Sequence, residues 1–171
     1  MEVLELASVL GIHTCTLGVP ILLQELQEAA GPDAAAPPAL SRDQEEIKQR
    51  FIAQRGFWAP SFEAILRTDQ VFFAAYAQYS GVPWASGVLE PKLKELIYLA
   101  IDASTTHLHR DGTRAHLRRA LGYGATRAEI MEVLELTSVL GIHTATMAVP
   151  ILLEEAARFQ ETVRPDGPAG Q

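Results

Sequence analysis

Residues 131–155, MEVLELTSVLGIHTATMAVPILLEE, occur a second time at residues 1–25 as MEVLELASVLGIHTCTLGVPILLQE, with 20 of 25 positions identical. Identity that high at one fixed offset is a duplication, so the end of one folding unit precedes a second unit carrying the same end. The differences, Ala7/Thr137, Cys15/Ala145, Leu17/Met147, Gly18/Ala148 and Gln24/Glu154, are mild. The second copy has a readable start, because Thr126 followed by Glu129 is a capping box whose side chains satisfy each other's orphan N–H groups. Ile130, Val133, Leu136, Leu140 and His143 then fall on one helical stripe. Gly141 and Pro150 interrupt it. Proline lacks the N–H and clashes one turn back, which predicts a kink or short break before a further segment, Ile151 to Phe159. By the same pattern residues 1–17 and 21–29 are helical. Met1 falls where the second copy has already completed its first turn, so a fuller first unit is expected upstream.

A chain of 171 residues that is 48% hydrophobic can bury a substantial core. A net charge of −7 argues against nucleic acid or an anionic membrane as partner. No uncharged apolar run approaches the roughly 20 residues that span a bilayer. The opening MEVLELASVLGIH has two glutamates and no basic residue, unlike a signal peptide. The single cysteine, Cys15, forbids an intrachain disulfide. These features predict a soluble, cytoplasmic protein.

Along the chain, residues 1–28 are the partial repeat and Ala/Pro-rich residues 29–40 a linker. Residues 41–163 form the main domain, and 164–171 a disordered tail. Ser41 with Gln44 opens a helix that Gly56 ends, with Ile47 and Phe51 inward. Residues 57–67 form a short aromatic-led segment. Thr68 caps a helix with Val71, Phe72, Ala75 and Tyr76 on one face, and residues 80–89 form a loop. Pro91 starts a helix over 90–104 that is apolar on most sides and is expected to be the most buried element. A polar turn, TTHLHRDG, leads to a helix from about Thr113 to Leu121, stopped by Gly122 and Gly124. No alternating strand pattern appears, which predicts an all-α helical bundle.

The order LKELIYLAIDAS, polar turn, His116-Leu-Arg-Arg-Ala-Leu-Gly-Tyr-Gly-Ala-Thr and AEIMEVLEL resembles the carboxymuconolactone decarboxylase / alkylhydroperoxidase-D-like family. The resemblance covers about residues 88–160, and the segment from residue 41 fits the family's lead-in helices. It implies a small all-α fold, homo-oligomerisation and, in some members, two units per chain. The peroxidase branch carries Cys-x-x-Cys and then a His four residues on; here those cysteine positions are His109 and Gly112. A thiol–disulfide cycle needs both thiols, so peroxidase activity is disfavoured. The decarboxylase branch works by acid/base chemistry with a Glu and a His, which match Glu95 and His116. Their separation is slightly longer than the family pattern, so the intervening turn is read as expanded.

Glu95, Tyr98 and Asp102 share one stripe of an otherwise apolar helix, where a carboxylate is costly unless paired or facing a cavity. The expected catalytic residues are Glu95, His116 and His107, with His109, Arg110, Arg114 and His143 binding substrate. A small carboxylated or lactone metabolite would lose CO2 through an enolate, which needs a cation or hydrogen bond at the developing charge and an acid for carbon. No cofactor is expected. His107, His109 and His116 would face one another well enough for zinc, but no fourth ligand is evident, so no metal is expected. Several of these residues have plainer readings. Glu95 pairs with Lys92 at the surface, His143 with its twin His13 is a core histidine, and Arg114, Arg118 and Arg119 form a solvated face. The rival function is a non-catalytic oligomeric scaffold, distinguished by a dry core between Glu95 and His116.

Overall fold

The computed structural model describes residues 10–32 and 35–163, and among these there are eight α-helices, one short 3-10 turn and no strand. The helices are α1 (Leu10–Ala30), α2 (Arg42–Arg55), α3 (Pro60–Thr68), α4 (Gln70–Ser86), α5 (Pro91–Ala103), α6 (Arg110–Gly122), α7 (Arg127–Ser138) and α8 (His143–Val163). The fold is the expected all-α bundle. The tail 164–171 and the expected helix over residues 1–9 lie outside the described residues.

Local chemistry sets several boundaries. The Ser41/Gln44 capping box opens α2, and Gly56, at φ 74, closes it in the left-handed conformation that glycine adopts without strain. The Thr126/Glu129 box opens α7. The aromatic-led segment is itself a helix, α3, begun by Pro60 at the first helical position. Asp69 rather than Thr68 caps α4, accepting from the Phe72 N–H. The predicted face of α4 holds only at Tyr76: Val71 is 81% exposed, Phe72 and Ala75 are exposed too, and Phe73 is the residue buried among Phe51, Phe62 and Tyr76. The expected loop at 80–89 is helical as far as Ser86, with Pro83 inside and buried, and its carbonyl accepts from the Lys94 ammonium. Packing of Pro83 in the core offsets the lost backbone bond.

The two repeat copies take different conformations. Proline breaks neither, since α1 runs through Pro20 and α8 through Pro150. The interruption in the second copy is the 3-10 turn Val139–Ile142 around Gly141, whereas Leu10, Gly11 and Ile12 of the first are α-helical. Tertiary contact decides between them. Helix α1 packs on α3 and buries Ile12 to 2% exposure, while Ile142 on the uncovered second copy is 56% exposed. The stretch Arg127–Arg158 is long and apolar enough, by length and composition, to cross a membrane, contrary to the sequence reading. In α1 the corresponding pattern packs on protein only at Ile12, Cys15 and Val19, while Leu17, Ile21, Leu22 and Leu26 are exposed.

Helices α5 and α6 form the centre of the domain. Helix α5 is deeply buried, as expected, yet its buried residues include Lys94, Glu95 and Asp102 beside Leu96, Tyr98 and Leu99. Three ion pairs, built on two carboxylates, tie peripheral helices. Glu63 of α3 meets Lys48 of α2 at 2.9 Å and Arg67 at 2.8 Å, and Glu129 of α7 meets Lys92 of α5 at 2.9 Å. Hydrogen bonds from Lys48 and Arg67 hold Glu63 down at about 2, against 4.5 when free. A carboxyl depressed by folding stabilises above its unfolded value, and that stability disappears as pH falls toward the folded one. Acidification from about pH 4.5 to 2 therefore lowers the melting temperature less in Glu63→Gln than in the wild type. Parallel melting curves over that range would remove the bridge from the account.

Candidate functional site

The turn between α5 and α6 brings four histidines and two carboxylates together. Asp102, on the last turn of α5, accepts the His109 N–H at its backbone carbonyl (2.8 Å), which anchors the turn to the helix. Leu108 sits at φ 50, a strained conformation for a branched residue, with its own side chain largely exposed. The imidazoles on either side of it, His107 and His109, both approach Asp102. His109 also caps α6, its Nδ1 accepting from the Gly112 N–H at 3.0 Å. Gly112 is obligatory here, because a Cβ would lie 1.9 Å from Asp102 Oδ2. The sequence reading placed the start of α6 at Thr113, since a ring nitrogen is not among the usual capping groups.

Glu95 and His116, the pair expected to meet, do so. Glu95 is wholly buried, and its Oε2 lies 2.6 Å from His116 Nδ1. Arg119, one turn further along α6, places Nε 3.0 Å from each Glu95 oxygen, while its Nη2 stands 2.8 Å from His116 Nδ1. A guanidinium has only donors, so the consistent arrangement has Nδ1–H and Arg119 both donating to Glu95, with Nε2 as the free basic nitrogen. Burial lowers the His116 pKa, and the Glu95 contact opposes that shift. Tyr98 stacks on the ring at 4.6 Å between centroids and fixes its plane. His116 Nε2 faces Asp102 Oδ2 at 3.7 Å.

Asp102 is the centre the sequence reading passed over. It is wholly buried, and neither carboxylate oxygen has a hydrogen-bond partner among the described residues. Burial pushes it up to about 7, with Arg119 opposing and Glu95 reinforcing the rise. Its Oδ1 is 3.5 Å from His13 Nδ1 and 3.8 Å from His107 Nε2, and its Oδ2 is 3.8 Å from His109 Nδ1. His13 arrives from α1, stacks on His109 at 3.9 Å and lies 2.6 Å from His107 Nε2 through its Nδ1. Burial brings His13 down to about 3, with His109, His107 and His116 lowering it further, so the ring is neutral near pH 7.

A cavity of about 130 Å³ opens onto His13, His109, His116 and Arg119, and Arg55 also faces it. The Arg55 guanidinium is buried, donates to the Ser80 carbonyl at 3.1 Å and keeps its Nε unpartnered among the described residues. Arg110 and Arg114, expected to grip substrate, are exposed and do not line this cavity; Arg55 and Arg119 stand there instead. The reason is helical phase, since Arg119 shares the inward face of α6 with His116 and Arg114 does not. His143 likewise stands away from the cluster on exposed α8, and its twin His13 occupies the place beside Asp102. Asp102 was legible as a member of the Glu95 stripe, and Arg119 as the residue one turn from His116. Nothing in the sequence marked Arg55.

Two comparisons bear on this arrangement. Residues 70–154 match the model of the carboxymuconolactone decarboxylase family. The fold also superposes, with a TM-score of 0.82 and 48% identity, on a crystal structure provisionally named as a gamma-carboxymuconolactone decarboxylase subunit from Burkholderia xenovorans LB400. The match covers 92% of this chain and 62% of that one, so the chain spans less than two thirds of that relative's length. No curated protein matches the chain at a significant level.

Proposed function

Because the chain belongs to the carboxymuconolactone decarboxylase family, we propose that it catalyses acid–base decarboxylation of a small carboxylated or lactone metabolite, with His116 and Glu95 as the working pair. The observation that carries this reading is the buried 2.6 Å contact between them at the wall of a cavity, where a scaffold would have dry packing. Arg55 and Arg119 hold the substrate's anionic groups, Arg55 with a buried Nε that has no partner among the described residues and Arg119 with the N–H groups it does not give to Glu95. Breaking the C–C bond releases CO2 and leaves the bonding pair on the substrate as an enolate or dienolate. Arg119 faces the developing oxyanion, and the imidazolium form of His116 gives its Nε2 proton to carbon. Glu95 holds Nδ1–H throughout, so the ring turns over at Nε2 alone and regains its proton from water. His109 borders the same pocket, whereas His107, expected as a catalytic residue, does not line it and stands against His13 and Asp102.

The family relative is named as a subunit, and the uncovered apolar faces of α7 and α8 support assembly with further copies of the chain. The test of the reading is CO2 release from a panel of β-keto acids and carboxylated lactones. Turnover is expected for wild type and a loss of about 10²–10⁴-fold for His116→Ala. Turnover that survives this substitution would sink the proposal.

A further inference from the structure

We propose that His13, Asp102, His107 and His109 form a binding site for one divalent transition-metal ion, zinc foremost. The potential ligand atoms of these four side chains all lie within 4.8 Å of one another. Zinc bonds of about 2.0–2.1 Å to nitrogen and oxygen put tetrahedral ligands roughly 3.4 Å apart. Asp102 Oδ1 stands 3.5 Å from His13 Nδ1 and 3.8 Å from His107 Nε2, close to that spacing. The one shorter separation, 2.6 Å between His13 and His107, is a ring-to-ring hydrogen bond that an ion would replace by opening the pair slightly.

A second observation points to a ligand independently. Asp102 is 0% exposed with both oxygens unpartnered among the described residues, and a buried carboxylate in that condition is costly unless it is protonated or holds a cation. Three imidazoles and one carboxylate suit zinc among the first-row ions and leave no soft ligand for copper(I). The strained Leu108 is explained by the same geometry, since it turns His107 and His109 toward one carboxylate. His107 and His109 are partly exposed, which leaves the ion a route in. His109 Nδ1 spends its lone pair on the Gly112 N–H, so His109 joins the other three ligands only when that bond opens or its ring presents Nε2. The site supplies the fourth ligand that the His107-x-His109 turn lacked on sequence alone, and it draws that ligand from the repeat. It also stands on side chains other than Glu95 and His116, so it can hold or fail separately from the acid–base reading.

The experiment uses the full chain, stripped with a chelator and titrated with cobalt(II) and zinc(II) by visible absorption and calorimetry. Expected are one equivalent per chain, tetrahedral-type cobalt bands, and a melting temperature raised by zinc. His107→Gln, a partly exposed turn position, is expected to weaken zinc binding by about 100-fold, the upper end of what loss of an outer-shell partner alone costs. His13→Ala should do the same, and His143→Ala, at the matching position of the exposed repeat copy, should leave it unchanged. Binding of no ion, or an affinity equal in wild type, His13→Ala and His107→Gln, would overturn the site. So would an equal loss in His143→Ala.

Discussion

Glu95→Gln is expected to lower turnover by about 10²–10⁴-fold while the chain stays folded. The substitution keeps the shape of a wholly buried side chain and removes its charge. The amide oxygen still accepts from Arg119, but the carboxylate that stabilises the imidazolium at 2.6 Å is gone. His116 then has nothing to balance its charge as it loads a proton for delivery. Glu95→Ala would be a poorer experiment, because it leaves the Arg119 guanidinium and His116 Nδ1 facing a void. Removing one partner of a buried pair costs about 3–5 kcal/mol. Circular dichroism and thermal melting of Glu95→Gln, beside its CO2 release, separate the chemical effect from the structural one. A glutamine variant with undiminished turnover would remove Glu95 from the mechanism.

Gly112→Ala is expected to do the greatest structural harm of any single methyl group added to the site. The new carbon would fall 1.9 Å from Asp102 Oδ2 and 2.4 Å from His109 Nδ1. Neither neighbour has an easy retreat, since Asp102 is wholly buried and His109 is held by the Gly112 N–H that begins α6. Overpacking of this kind costs about 1–3 kcal/mol. For a chain of this length each kcal/mol lowers the melting temperature by roughly 2–4 °C. The same substitution moves Asp102 away from the histidines, so zinc uptake should fall with stability. A melting temperature within a degree of wild type would mean that the backbone at Gly112 yields where the close approach says it cannot.

Gly112 also shows how far the sequence could be read. It stands where a peroxidase relative would carry its second cysteine, and the sequence alone reported that residue as a missing thiol. The structure gives the positive reason for glycine, the Asp102 carboxylate pressed against it. The capping boxes at Ser41 and Thr126 and the stop at Gly56 were legible from local chemistry, and the meeting of Glu95 with His116 from the resemblance to the family. What was not legible depended on tertiary contact. Pro83 and Pro150 lie inside helices because packing or continuation outweighed the local penalty. Phe73 rather than Phe72 is buried because α4 carries apolar residues all round, and periodicity could not choose a face. The repeat is the sharpest case. Ile12-His13 and Ile142-His143 are the same dipeptide, yet one is buried against Asp102 and the other is exposed. No property of the pair could say which copy would enter the site.

The central claim is that Glu95 and His116 act on substrate as one unit, and a double-mutant cycle on CO2 release tests it most directly. Groups that work as a unit are non-additive, so Glu95→Gln combined with His116→Ala should cost no more than His116→Ala alone. Losses that multiply in the double variant would mean that the two side chains act separately, and the acid–base pair would be contradicted.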